Sequence, residues 1–237
     1  MNKIESKQRI ICALDFENID LALNLIKKIE TYIQWYKIGM ELFTKEGPNA
    51  VEAVTKRGSS VFLDLKYHDI PATVEKAIFS AADLGVSLLT VHACGGEEML
   101  EACARARDKI KDPPSILAVT VLTSLSEDSL KKIGLQSRPE EQVLRMGLLA
   151  KKAGLDGVVA SPMEVAPLRS ELGEDMMIVT PGVRLETESQ NDHARVHTPK
   201  LAIEDGADFI VVGRPFRSVG IFSVFVLGRF SKSIVVV

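Results

Sequence analysis

Eight short apolar runs, separated by stretches of helical periodicity, constrain this chain more than any other feature. The runs cover 10–16, 35–39, 61–66, 88–93, 116–122, 157–161, 177–182 and 209–214. Between them, 19–30, 73–84, 97–110 and 141–153 carry apolar residues at helical spacing. Strands that alternate with helices pair in parallel, because each crossover returns the chain to the same end of the sheet. Eight such units in 237 residues predict an α/β fold, a (β/α)8 TIM barrel in a single domain over 1–237. An open, doubly wound sheet is the alternative. No linker or low-complexity tract interrupts the pattern.

Polar residues gather at the ends of these runs, where barrels of this class place their active sites. Asp15 closes the first run and Lys37 lies near the end of the second. Asp64 and Lys66 end the third and His92 the fourth. Thr123 and Ser124 follow the fifth, Ser161 ends the sixth, Arg184 follows the seventh, and Gly213-Arg214 ends the eighth. The densest group is residues 64–73, Asp-Leu-Lys-Tyr-His-Asp-Ile-Pro-Ala-Thr. Alternation along a strand points Asp64 and Lys66 the same way. Pro71 then closes the strand and opens a helix. Burying charge costs several kcal/mol unless it is paired. Such a cluster is therefore an ion-paired structural knot or an active site.

The charges suggest a chemistry. Lys37, Asp64, Lys66 and Asp69 alternate in sign, and alternating charges hold one another ionised and in place. A fixed array of this kind stabilises a transition state with little reorganisation. Lys66 suits a proton donor to a carbanion, and a carboxylate beside it would repel a substrate carboxylate until CO2 leaves. Schiff-base chemistry at Lys66 is disfavoured, because flanking carboxylates favour the ammonium. Thr180-Pro181-Gly182-Val183-Arg184 and Gly213-Arg214-Pro215 follow the last two runs. Glycines let backbone N–H groups approach an anion and arginine offers a planar fork, so a phosphate site is expected there. The polar stretch 185–198 reads as a lid or binding loop.

These segments together resemble the orotidine 5′-phosphate decarboxylase family, bacterial type, over residues 10–215. Asp64-x-Lys66-x-x-Asp69-Ile70-Pro71-x-Thr73 is its most specific signature. Asp15, Lys37 and the segments 119–124, 180–184 and 212–215 match as well. The resemblance implies decarboxylation of orotidine 5′-phosphate to UMP in pyrimidine biosynthesis, by a lyase that uses no metal and no organic cofactor. It implies that Lys66 protonates C6 of the pyrimidine and Asp64 crowds the leaving carboxylate. Lys37 and Asp15 would contact the ribose. The binding segment would be Asp64, Leu65, Lys66, Tyr67, His68, Asp69, Ile70, Pro71, Ala72 and Thr73, with Asp69 reaching the partner's site in a homodimer. Thr123 and Ser124 would lie near the base, and Arg184, Gly213 and Arg214 would hold the phosphate.

Two departures from the family pattern stand out. Nine residues after Arg184 the family carries Gln; here His193 follows Asn191-Asp192 and is taken as a substrate contact. The C-terminal segment 216–237 is atypical, with four Phe and no acidic residue. It reads as a variant helix or as an end translated in another frame. Its apolar run 219–227 is too short to span a bilayer.

Other readings are narrower. His193 and His197 are four apart but lack a third metal ligand. His68 is read as a structural hydrogen-bonding residue, and Trp35 and Met40 as core. Cys12, Cys94 and Cys103 form no metal-binding spacing and read as buried packing. With the polar N-terminus they predict a reducing cytoplasm. A net charge of −3 offers no basic excess for nucleic acid. One alternative is a metal-dependent sugar-phosphate lyase or decarboxylase on the same barrel, such as hexulose-phosphate synthase. A second is a non-catalytic binding protein on a decayed barrel.

Overall fold

A computed structural model describes residues 9–183, 198–213 and 216. Its strands close into an eight-stranded barrel in chain order, β1 to β8, with β8 back against β1. They are β1 (Ile10–Ala13), β2 (Trp35–Gly39), β3 (Ser60–Tyr67), β4 (Leu88–His92), β5 (Ser115–Val119), β6 (Gly157–Val159), β7 (Met177–Pro181) and β8 (Phe209–Val212). All neighbouring strands pair in parallel. The open-sheet alternative is thereby excluded. The helices are α1 (Ile19–Ile29), α2 (Met40–Glu46), α3 (Pro48–Thr55), α4 (Pro71–Asp83) and α5 (Glu97–Asp108), then α6 (Glu127–Lys132), α7 (Pro139–Lys152), α8 (Val165–Leu172) and α9 (Pro199–Glu204).

Strand alternation divides the core into two layers. Ile11, Ala13, Phe62, Leu88, Leu117, Val179, Phe209 and Val211 fill the barrel interior. Their neighbours Cys12, Leu63, Leu89, Ala118, Ile178 and Ile210 pack outward under the helices. Strand side chains alternate between the two faces. The interior positions turn from apolar to polar toward the C-terminal mouth. Trp35 is followed on its face by Lys37, Phe62 by Asp64, and Leu88 by Thr90. This gradient positions the site.

The opposite rim is tied by two repeats of one device. Just before β6, Asp156 accepts the Ile116 N–H at 2.7 Å and Arg107 Nη1 at 2.7 Å. Just before β8, Asp208 accepts the Ile178 N–H at 2.8 Å and Arg169 Nη2 at 2.6 Å. Each aspartate thus satisfies the backbone of the preceding strand and is neutralised by a helix arginine.

Several expected bounds shift. The strands at 10–16, 88–93, 116–122, 157–161, 177–182 and 209–214 end earlier, at Ala13, His92, Val119, Val159, Pro181 and Val212. Their polar ends Asp15, Thr123 and Ser161 therefore lie in loops. Trp35 is half-buried, its ring 5.1 Å from that of Phe209. Met40 is not core: it is 58% exposed. It opens α2 directly after Gly39, on the rim rather than over the sheet. Cys12 and Cys103 are buried, whereas Cys94 is exposed. Burial pushes the Cys103 thiol up to about 12 and raises that of Cys12 as well. The stretch 185–197 and the segment 217–237 lie outside the described residues, as do His193 and His197.

Candidate active site

At the C-terminal mouth, four charged side chains form a chain of alternating sign. Lys37 Nζ lies 3.2 Å from Asp15 Oδ1 and 3.5 Å from Asp64 Oδ2. Lys66 Nζ lies 2.8 Å from Asp64 Oδ1. The order is Asp15, Lys37, Asp64, Lys66. Asp15 joins this same-chain array, and Asp69 of the same chain lies outside it. Asp69 sits exposed past the end of β3, its Oδ1 accepting the Ile70 N–H at 2.6 Å. The strand parity that aligns Asp64 with Lys66 ends before residue 69.

Asp64 is only 8% exposed. Burial by itself would push its carboxyl up. The Lys37 and Lys66 ammoniums, with hydrogen bonds from Lys66 and Thr90, outweigh burial and hold it below the usual carboxylate range. His92 ends β4 half-buried. Burial lowers its imidazole, and the neighbouring His68 and Lys66 charges lower it further. The His68 and His92 rings are 5.6 Å apart, and His68 Nδ1 is 4.0 Å from Cys94 Sγ. His68 itself is exposed.

A cavity of about 240 Å³ opens over this array, lined by Lys37, Asp64, Lys66, Thr123, Pro181 and Val211 among others. Phe62, Val119 and Val159 supply its apolar floor and wall. Lysines and a carboxylate share this lining with apolar side chains, a combination that suits a flat, polar-edged ring. Gly213 closes the ring of strands beside Asp15: a Cβ there would stand 3.6 Å from Asp15 Oδ2. At Gly39 a Cβ would stand 3.0 Å from Lys37 Nζ and 3.4 Å from Asp15 Oδ1, so glycine leaves that ion pair its room.

The binding segment divides by face. Leu65 and Tyr67 pack against the outer apolar layer. Pro71 opens α4, as its fixed φ favours. Ile70, Ala72 and Thr73 are exposed around it, and Ser124 is exposed beside Thr123. Arg184 and Arg214 lie outside the described residues, while Gly182 and Gly213 stand at the ends of β7 and β8.

One residue at the site escaped the sequence reading. Thr90, on β4, is 0% exposed, and its Oγ1 contacts both Asp64 and the backbone of Lys66. A lone polar residue in an apolar run was the available signal.

The sequence model of the orotidine 5′-phosphate decarboxylase / HUMPS family matches residues 8–218. An orotidine 5′-phosphate decarboxylase from Trichlorobacter lovleyi is 47% identical over 218 residues, covering 91% of this chain and 90% of the relative. One from Haemophilus ducreyi is 49% identical over 208 residues, covering 87% of this chain and 90% of the relative. Among solved structures, the orotidine 5′-phosphate decarboxylase of Lactobacillus acidophilus superposes with a TM-score of 0.83 at 34% identity. That match covers 97% of this chain and 100% of the other.

Proposed function

The chain belongs to the orotidine 5′-phosphate decarboxylase / HUMPS family, and we propose that it converts orotidine 5′-phosphate to UMP with Lys66 as the proton donor. The observation that carries this reading is the array Asp15–Lys37–Asp64–Lys66 at the base of the cavity. Loss of CO2 leaves an electron pair at C6 of the pyrimidine. The Lys66 ammonium delivers a proton to that carbon and stabilises the developing charge as it forms. Asp64, held ionised, opposes the substrate carboxylate in the ground state, and that repulsion is relieved as CO2 departs. Lys37 and Asp15 take the ribose hydroxyls. Arg184 and Arg214, which follow Gly182 and Gly213 in the sequence, would take the phosphate together with His193. Thr123 and Ser124 border the base.

The metal-dependent alternative on this barrel is less well supported. Both oxygens of Asp64 face ammoniums within 3.5 Å, an environment that repels a divalent cation. The active unit is read as a homodimer in the cytoplasm. Exposed Asp69, with Ile70 at 66% exposure beside it, suits a rim covered by a second copy. Among the described residues no helix is long and apolar enough to cross a membrane.

The test follows orotate absorbance with orotidine 5′-phosphate, with and without EDTA, on the wild type and on Lys66→Ala. Turnover that survives EDTA in the wild type and disappears in Lys66→Ala, with UMP affinity retained, is expected. Activity abolished by EDTA would favour the metal-dependent relative. A Lys66→Ala protein with even about a tenth of wild-type kcat would remove Lys66 as the donor.

A further inference from the structure

Strand β3 is irregular where its catalytic residues lie. Its pairing with β4 runs Leu63 to Leu89 and then resumes at Tyr67 to Val91. Asp64, Leu65 and Lys66 therefore stand opposite the single residue Thr90. Extra residues of this kind form a bulge, which breaks the ladder and re-aims side chains. Within it Lys66 has φ 54°, the only positive φ outside glycine among the described residues. A lysine gains nothing locally from that conformation, and holding it costs roughly 1–3 kcal/mol. Something must hold the lysine there.

The geometry points to Thr90 as that device: a positioning residue whose hydroxyl fixes both the strained backbone of Lys66 and the carboxylate of Asp64. The Lys66 N–H, without a ladder partner in the bulge, donates to Thr90 Oγ1 at 2.9 Å. The same hydroxyl donates its proton to Asp64 Oδ1 at 3.1 Å. That oxygen also accepts from Lys66 Nζ at 2.8 Å. Three bonds thus close a loop through one residue: backbone of Lys66, hydroxyl of Thr90, carboxylate of Asp64, ammonium of Lys66. Because Thr90 is fully buried, water cannot replace the hydroxyl cheaply. Its branched Cβ restricts χ1, so the hydroxyl is held rather than free to rotate away. Thr90 does not line the cavity; it acts through Asp64 and Lys66, which do. The inference rests on the decarboxylase reading for its kinetic readout, but its acid–base readout concerns Asp64 alone.

The test compares Thr90→Val, Thr90→Ala and Thr90→Ser. Valine keeps the volume and removes the hydroxyl, alanine removes both, and serine keeps the hydroxyl. A hydroxyl role predicts that Val and Ala both lose kcat by roughly 10–100-fold, with KM within about threefold, while Ser stays within about threefold of wild type. A packing role predicts the reverse, with Val active and Ala and Ser impaired, and that outcome overturns the proposal. The second measurement is the pH dependence of kcat. Losing one hydrogen bond to the carboxylate should move its acid limb upward by about half a unit to one unit in Val and Ala, and not in Ser. An unmoved limb in a folded Val or Ala variant also overturns the proposal. If neither folds, Ser decides alone: kcat more than about tenfold below wild type at unchanged Tm refutes the role, and kcat within threefold upholds it. If no variant of the enzyme turns over orotidine 5′-phosphate and the wild type does not either, the decarboxylase reading has failed. The position of Asp64 titration, read by NMR in wild type and Thr90→Val, then tests Thr90 separately.

Discussion

Asp64→Asn removes one charge from the centre of the array and keeps its shape, so its consequences follow from the distances. Asp64 faces Lys66 Nζ at 2.8 Å and Lys37 Nζ at 3.5 Å. At an effective dielectric constant of about 20, each pair attracts by roughly 5–6 kcal/mol before desolvation is subtracted. Breaking a buried ion pair typically costs about 3–5 kcal/mol. Asparagine still accepts a hydrogen bond, which argues for a cost at or below the bottom of that range, roughly 2–3 kcal/mol. For a chain of this size that lowers Tm by about 4–12 °C. Chemistry should suffer more than stability: Lys66 loses its anchor, and kcat should fall by about 100-fold or more. The ground state should move the other way. A substrate carboxylate about 4 Å from Asp64 would be repelled by roughly 4 kcal/mol gross at the same dielectric constant. The assay uses the inert Lys66→Ala background, with and without Asp64→Asn, and measures affinities for orotidine 5′-phosphate and UMP by calorimetry. The ratio should shift toward the carboxylated ligand by about tenfold or more. A ratio unchanged within threefold would show that Asp64 does not oppose the carboxylate.

Two further outcomes are expected. Burial raises the Glu164 carboxyl from 4.5 to about 7, against a hydrogen bond from the Ser161 N–H and with a smaller push from Glu140. A raised folded-state value means its contribution is intact below pH 4.5 and is lost as pH rises through 7, by about 3 kcal/mol at most. Urea denaturation should therefore find Glu164→Gln similar to wild type near pH 4.5 and more stable by about 1–3 kcal/mol at pH 8, and equal differences at both pH values would contradict it. Refolding Lys66→Ala with Asp69→Asn in equal amounts should restore roughly a quarter of wild-type activity, since half the dimers are mixed and each holds one intact site. No gain over the separate parents, with mixed dimers present by mass spectrometry, would place Asp69 in its own chain's site.

The barrel was legible because its strands are short, apolar and evenly spaced, and strand parity correctly aligned Asp64 with Lys66. Parity works within a strand. It says nothing about register between strands, so it did not show that Asp15 stands against Lys37 at the head of the array. Polar strand ends drew attention to Lys37 and Asp64 but extended six strands too far, since a polar residue after an apolar run marks the mouth and not the last ladder bond. Met40 shows the limit of composition: an apolar residue opening a helix on the rim looks the same in sequence as one under it. Thr90 stood out only as a lone polar residue in an apolar run, and its importance arises from the bulge opposite it. That bulge contains no glycine, so the positive φ of Lys66 has no sequence signature.

The two ends of the barrel divide stability from chemistry. At the N-terminal rim, Asp156 and Asp208 each satisfy a backbone N–H and meet an arginine, an arrangement in which each partly buried charge has a partner and the chain adopts ordinary strand geometry. At the C-terminal mouth, a nearly buried carboxylate is wedged between two ammoniums and Lys66 sits in a left-handed conformation. Neither feature is what a strand would adopt for its own stability. Both become tolerable because the surrounding sheet is closed: β3 is paired on both edges, and its bulge is pinned from β4. An isolated ammonium in water would swing freely and turn toward solvent. Here its Nζ is fixed against Asp64 at 2.8 Å before substrate arrives, so the cost of orienting it is met during folding and not during the reaction.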